Sequence, residues 1–131
     1  MTVEDVENRV RPLQAKAISL QARLADLKDR RDRGRLDDGR YTDLAGDLDR
    51  ERIEILIQLR GILGARDDDF DHILNSAIDG TRQEDVATNL VDLAKKKGFA
   101  SNLINSIQNN RGTIISWFVN IGLEIVRQTQ K

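Results

Sequence analysis

The chain contains no cysteine, which excludes disulfide stapling, thiolate metal sites and thiol nucleophiles together. Proline occurs once, at Pro12, and β-branched runs are few, so little in the sequence favours a sheet. Aromatic residues are scarce as well: Tyr41, Phe70, Phe99, Trp117 and Phe118 are the full set, and all but Tyr41 follow residue 64. The two halves must therefore fill their interiors differently. An excess of charge of either sign is also missing. With 21 Lys and Arg against 22 Asp and Glu the net charge is −1, and no global field draws the protein to nucleic acid or anionic lipid. The longest apolar run, Ile114 to Val126, is too short to span a bilayer and contains Asn120 and Glu124. The N-terminus, Thr2-Val3-Glu4-Asp5, lacks the basic and apolar parts of a signal peptide, so the expected location is cytoplasmic.

What is present is helical patterning. An apolar fraction of 39% with 33% charged residues, over 131 residues, suits a small globular helical protein. Val3, Val6, Val10, Leu13, Ala17, Leu20, Leu24 and Leu27 follow one another at spacings of three and four, the seam of a helix laid against a partner. Thr2 and Asp5 can form a capping box at its start. Because the seam keeps its phase across Pro12, one kinked helix is favoured over a helix that begins there. Gly34 offers a left-handed stop, and Asp37 or Asp38 can cap a second helix. The second stripe is Tyr41, Leu44, Leu48, Ile55, Leu59 and Ile62, and the short connection forces an antiparallel hairpin ended by Gly61 and Gly64.

Four shorter helices follow. Asp67 or Asp68 opens one with Phe70, Ile73, Leu74 and Ala77 on its face. Thr81-Arg82-Gln83-Glu84 reads as a capping box for the next, which buries Val86, Leu90, Leu93 and Ala94 and ends at Gly98. Ser101 or Asn102 starts a helix through Leu103, Ile104 and Ile107. Thr113 caps the last, with Ile114, Trp117, Phe118, Ile121 and Ile125 on one side. The expected fold is all-α: a coiled-coil-like hairpin over residues 1–63, then a small four-helix bundle over residues 65–131.

Sites for chemistry are few. His72 shares a helical face with Asp68 and is flanked by Asp71, but one turn supplies too few converging ligands for a metal, and an acidic first turn suits the helix dipole. Asp37-Asp38 and Asp47/Asp49/Glu51 stand among arginines, as solvated pairs do. No phosphate loop, nucleophile elbow or zinc-protease motif occurs. Neither an enzyme nor a cofactor is expected. Arg30, Arg31, Arg33 and Arg35 alternate with Asp29 and Asp32, which cancels the field that nucleic acid would need. Trp117 and Phe118 read as core for a half with few other bulky residues.

One resemblance adds to this. Leu20-x-x-x-Leu24-x-x-Leu27, then Gly34-Arg35-Leu36-Asp37-Asp38-Gly39-Arg40-Tyr41, then Ile53-Glu54-Ile55-Leu56-Ile57-Gln58-Leu59, resembles the helical hairpin of the effector-associated domains of prokaryotic conflict systems. Gly34, Leu36, Asp37, Tyr41, Ile55 and Leu59 fit that pattern. Gly39 departs from it where an acidic residue is usual, as does Asp47 or Asp49 where an Asn is common. Val86-x-x-x-Leu90-Val91-x-x-Ala94, Gly98 and Leu103-Ile104-x-x-Ile107 are similar to the helices of the small death-fold-like members. The resemblance implies an adaptor that pairs with a like domain on an effector such as a protease, a TIR protein or a STAND-type NTPase.

The expected partner is thus a protein, with a homo-oligomer allowed and no membrane. Asp67, Asp68, Asp69 and Asp71 would form an acidic pole and Lys95, Lys96 and Lys97 a basic one for head-to-tail assembly. Two other readings are a scaffold that dimerises through the Val3–Leu27 seam and a DNA-binding regulator.

Overall fold

In the computed structural model, which describes residues 2–129, the chain is all-α. Six α-helices are present among the described residues: α1 (Val3–Asp32), α2 (Asp38–Leu63), α3 (Asp68–Ile78), α4 (Gln83–Lys96), α5 (Ser101–Gln108) and α6 (Ile114–Thr129). There is no strand among them. The capping box at Thr2 and Asp5 forms in both directions. α1 then runs 30 residues, about 45 Å, and continues as one helix through Pro12. Pro12 and Asn8, whose carbonyl loses its usual amide donor there, are both exposed, so water can serve that oxygen. Val10, Leu13 and Ala17 are buried on either side of the proline, so the seam keeps one phase.

Gly34, at φ 71°, closes α1: its amide bonds to Arg31 O, and that of Arg35 to Arg30 O. Asp37 rather than Asp38 caps α2, accepting the Arg40 amide at 2.7 Å. α1 and α2 pair antiparallel along their length. Gly61 does not end α2, which continues to Leu63 and passes through one 3₁₀ turn at Gly64–Arg66. Asp67 then caps α3 by accepting the Phe70 amide.

The shorter helices gather against the base of the hairpin. α6 packs on α1 and α2 and also touches α4 and α5. Its Gly122 is the point of closest approach, because a Cβ there would lie 2.6 Å from Leu63 Cδ1 and 3.3 Å from Phe70 Cζ. Phe70 and Phe118 meet edge to face with centroids 5.9 Å apart. Trp117 is buried, its Nε1 donating to Arg111 O at 2.6 Å. Apart from Leu27 in the outer part of α1, the buried apolar side chains, from Val6 to Val126, form one cluster that joins hairpin and shorter helices.

The capping box expected at Thr81 is absent. The amide of Thr81 instead bonds to Ser76 O and closes the turn after α3, so Thr81 belongs to the preceding helix end. Arg82 becomes the N-cap of α4 without a side-chain bond, and Glu84 pairs with the Arg82 guanidinium at 3.3 Å. α5 likewise starts from Ala100 with no side-chain cap. At α6 the expected cap forms: Thr113 Oγ1 accepts the Ser116 amide, and Ser116 Oγ accepts that of Thr113.

Candidate interaction surfaces

The acidic and basic groups singled out as opposed poles are neighbours. Asp67, at the N-cap of α3, meets Lys97, at the C-cap of α4, with 2.6 Å between Oδ2 and Nζ. Lys96 reaches Asp69 at 3.3 Å. α3 and α4 pack side by side, and their turn brings the end of one to the start of the other. The poles therefore neutralise each other within the chain and do not stand apart as complementary ends. Burial pushes the Asp67 carboxyl up, but the Lys97 ammonium and the Phe70 amide outweigh it and hold the group below the usual carboxylate range. Asp68 and Lys95 are exposed and make no ion pair among the described residues, and half-buried Asp71 accepts from Asn75. Exposed His72 shares an open dish with Asp69, Asp92 and Lys96. No three or more His, Asp or Glu side chains among the described residues are placed to hold a metal ion.

The hairpin divides at the level where α6 begins. At its base Leu13, Ala17, Leu20, Ile55 and Leu59 are buried. Further out, in the arm, Leu24, Leu36, Tyr41, Leu44 and Leu48 are only half-buried, and no residue between Leu27 and Ile55 is buried at all. Two helices alone can cover only the facing half of each other's apolar stripe. Arg31 stacks on the Tyr41 ring with its guanidinium carbon 4.1 Å from the centroid. Where the arm meets the start of α6, a cleft of about 240 Å³ opens between Leu24 and Leu48 on one side and Thr113, Ile114 and Ile115 on the other. Ile18, 66% exposed, projects from α1 one turn before Leu24's neighbour Gln21.

The opposite face of the hairpin carries no helix over it among the described residues and is charged. Arg9, Lys16, Arg23 and Arg30 recur at intervals of seven on α1, all exposed, directly beside the apolar seam. Asp43, Asp47, Glu51 and Glu54 form an exposed acidic stripe on α2. The stripes meet across the hairpin at Arg23 and Glu51, 2.8 Å apart. Between them lies a groove of about 250 Å³ with Leu20 and Ile55 on its floor and Lys16, Arg23, Glu51 and Glu54 on its walls. The signal for this stripe in the sequence is its seven-residue spacing, visible when the α1 seam is written as a heptad.

A third concavity, shallow and about 890 Å³, lies between α4 and α5 over Trp117, rimmed by Gln83, Glu84, Asp92, Lys95 and Asn110. The arginines of the arm's tip are largely engaged: Arg30 with Asp26 and Arg33 with Asp29 within α1, and Arg31 on Tyr41. No helix among the described residues is long and apolar enough to cross a membrane.

Comparison of the chain with protein-family models, with curated proteins and with solved structures returned no match.

Proposed function

We propose that the chain is a non-catalytic adaptor that pairs with a like helical domain, in the manner of the effector-associated domains of prokaryotic conflict systems. The observation that carries this reading is the hairpin arm: two helices whose shared apolar stripe is left half-covered by the rest of the chain. Such a stripe gains most from another helical surface, since further burial of each half-exposed leucine contributes on the order of 1 kcal/mol. The residues behind the resemblance all serve the hairpin. Gly34 turns the chain, Asp37 caps α2, Tyr41 lies under Arg31, Leu36 is half-buried, and Ile55 and Leu59 are core. The buried set among the described residues is wholly apolar, so what the molecule offers to others is helix surface. A like domain on an effector protease or NTPase fits this as partner, in a bacterial defence or signalling setting.

Sedimentation velocity over two decades of concentration, with the chain alone and mixed with a like hairpin domain encoded beside its gene, tests the reading. Reversible association in either case is the expected outcome. A monomer that ignores both concentration and the added domain would remove the adaptor role.

A further inference from the structure

The charged face of the hairpin specifies an occupant, and we infer that it is a second copy of this chain, related by a two-fold axis running along the hairpin. This rests on the adaptor reading and names a surface and a partner for it. The groove on this face has a basic wall on α1 and an acidic wall on α2. A partner of one charge sign, such as nucleic acid or an anionic membrane, is attracted by one wall and repelled by the other. The surface complementary to a basic stripe beside an acidic stripe is the same pair of stripes turned half a revolution. Rotation about the hairpin axis sets α1 of one copy over α2 of the other with the hairpins parallel, and every contact occurs twice.

The levels along the hairpin bring the charges within reach. Because Arg23 faces Glu51 in the antiparallel pair, Arg30 lies near the level of Asp43, while Lys16 is level with Gln58 and about 6 Å, one turn, from the level of Glu54, a gap its long side chain can span. A second copy would place Lys16 against the partner's Glu54 and Arg30 against the partner's Asp43, with Arg23 and Glu51 between them. Lys16, Asp43 and Glu54 make no ion pair among the described residues, so these charges are available. Two cations stand among these acids: Arg40 at the tip of α2, and Arg50, which pairs with Asp47 at 2.6 Å, so Asp43 and Glu54 carry the stripe's unpaired charge. α6 packs on the other side of the hairpin, where Ile114 and Ile115 share the cleft with Gln21, Asp49 and Arg52, so it leaves this face open. From Arg9 to Arg30 the face is about 32 Å long and roughly 20 Å wide, or on the order of 600 Å² per copy. That is the lower edge of what stable pairs bury, and a charged rim of this kind gives a reversible, salt-sensitive dimer.

The test uses the full chain and two charge-reversed forms, Lys16→Glu with Arg30→Glu, and Asp43→Lys with Glu54→Lys. Each alone makes both stripes of a homodimer alike in sign, and its dissociation constant at low salt should rise about tenfold or more. Mixed in equal amounts, the two forms face each other with opposite signs on both sides, so association should return to the parent level as a mixed dimer. All four positions are exposed, and circular dichroism checks that helicity is kept; the milder pair Lys16→Glu and Glu54→Lys serves if it is not. If the parent associates and both reversed forms associate as tightly, the charged face is not the interface, while the adaptor reading survives through another surface. Loss in each form without recovery on mixing overturns the two-fold geometry. A parent that stays monomeric at millimolar concentration overturns the second copy as occupant and leaves the adaptor role to the mixing experiment with a like domain.

Discussion

The two ends of the α1–α2 hairpin are written in the same apolar spacing yet sit in different surroundings. At the base, Leu59 is fully buried in a core to which α1, α2 and α6 all contribute; in the arm, Leu24 occupies an equivalent seam position and is half-exposed. The difference is the third helix. A seam of threes and fours orients a stripe toward one neighbour, but whether that stripe leaves water depends on how many helices converge on it. The base is thus where the chain is held together, and the arm is where it has surface left to offer.

Paired substitutions break this comparison most sharply. Leu59→Ala should cost about 2–5 kcal/mol, because it leaves a cavity in a closed core, whereas Leu24→Ala should cost about 1 kcal/mol. Urea midpoints at low protein concentration measure both. Equal losses would mean that the arm's seam is as fully covered as the base.

Gly122→Val is the next largest. Any side chain at this point of α6 must displace Leu63 and the Phe70 ring, and overpacking of that kind costs about 1–3 kcal/mol. Thermal unfolding should show the loss, and a neutral result would mean that α6 packs more loosely on the base than the Leu63 contact implies. No such penalty attaches to Gly46 in the arm, where an added Cβ meets nothing within 4 Å. Gly46→Ala there should stabilise by up to about 1 kcal/mol through helix propensity.

The smallest effect concerns the charge lock beside the base. Asp67 titrates below its usual value of 3.8 in the folded chain, so below that value the unfolded chain binds the proton more readily. Its contribution is complete above the unfolded value and is lost as pH falls through the lower folded one. Asp67→Asn keeps a capping oxygen and loses the pairing with Lys97. It should cost about 0.5–1 kcal/mol near pH 7 and progressively less as the pH is lowered below 3.8, as read from unfolding at each pH. A difference that persists in acid would assign the loss to the cap instead of the charge.

Much of the fold was legible because helices announce themselves locally. The left-handed stop at Gly34, the caps at Thr2, Asp37, Asp67 and Thr113, and the faces of α3 and α6 all depend on residues within one or two turns. The missed features involve competition or distance. Thr81 had a capping sequence, but its amide was already committed to Ser76 O. Gly61 read as a stop, yet nothing at that position obliges the helix to end, and α2 continues to Leu63. Among the surfaces, the lysine and aspartate clusters were visible as charges. Their mutual pairing was not, since Asp67 and Lys97 lie on different helices.

The sequence by itself determined that this chain is helical, where most of its helices start and stop, and which stripe each one turns inward, because those are decided by hydrogen bonds and spacing inside a single helix. Only the tertiary structure decided which part of the long seam is covered, that Gly122 must be small, and that one hairpin face is left bearing a basic and an acidic stripe. These depend on where α6 comes to rest against residues some fifty or more positions away, and no periodicity within a helix encodes that.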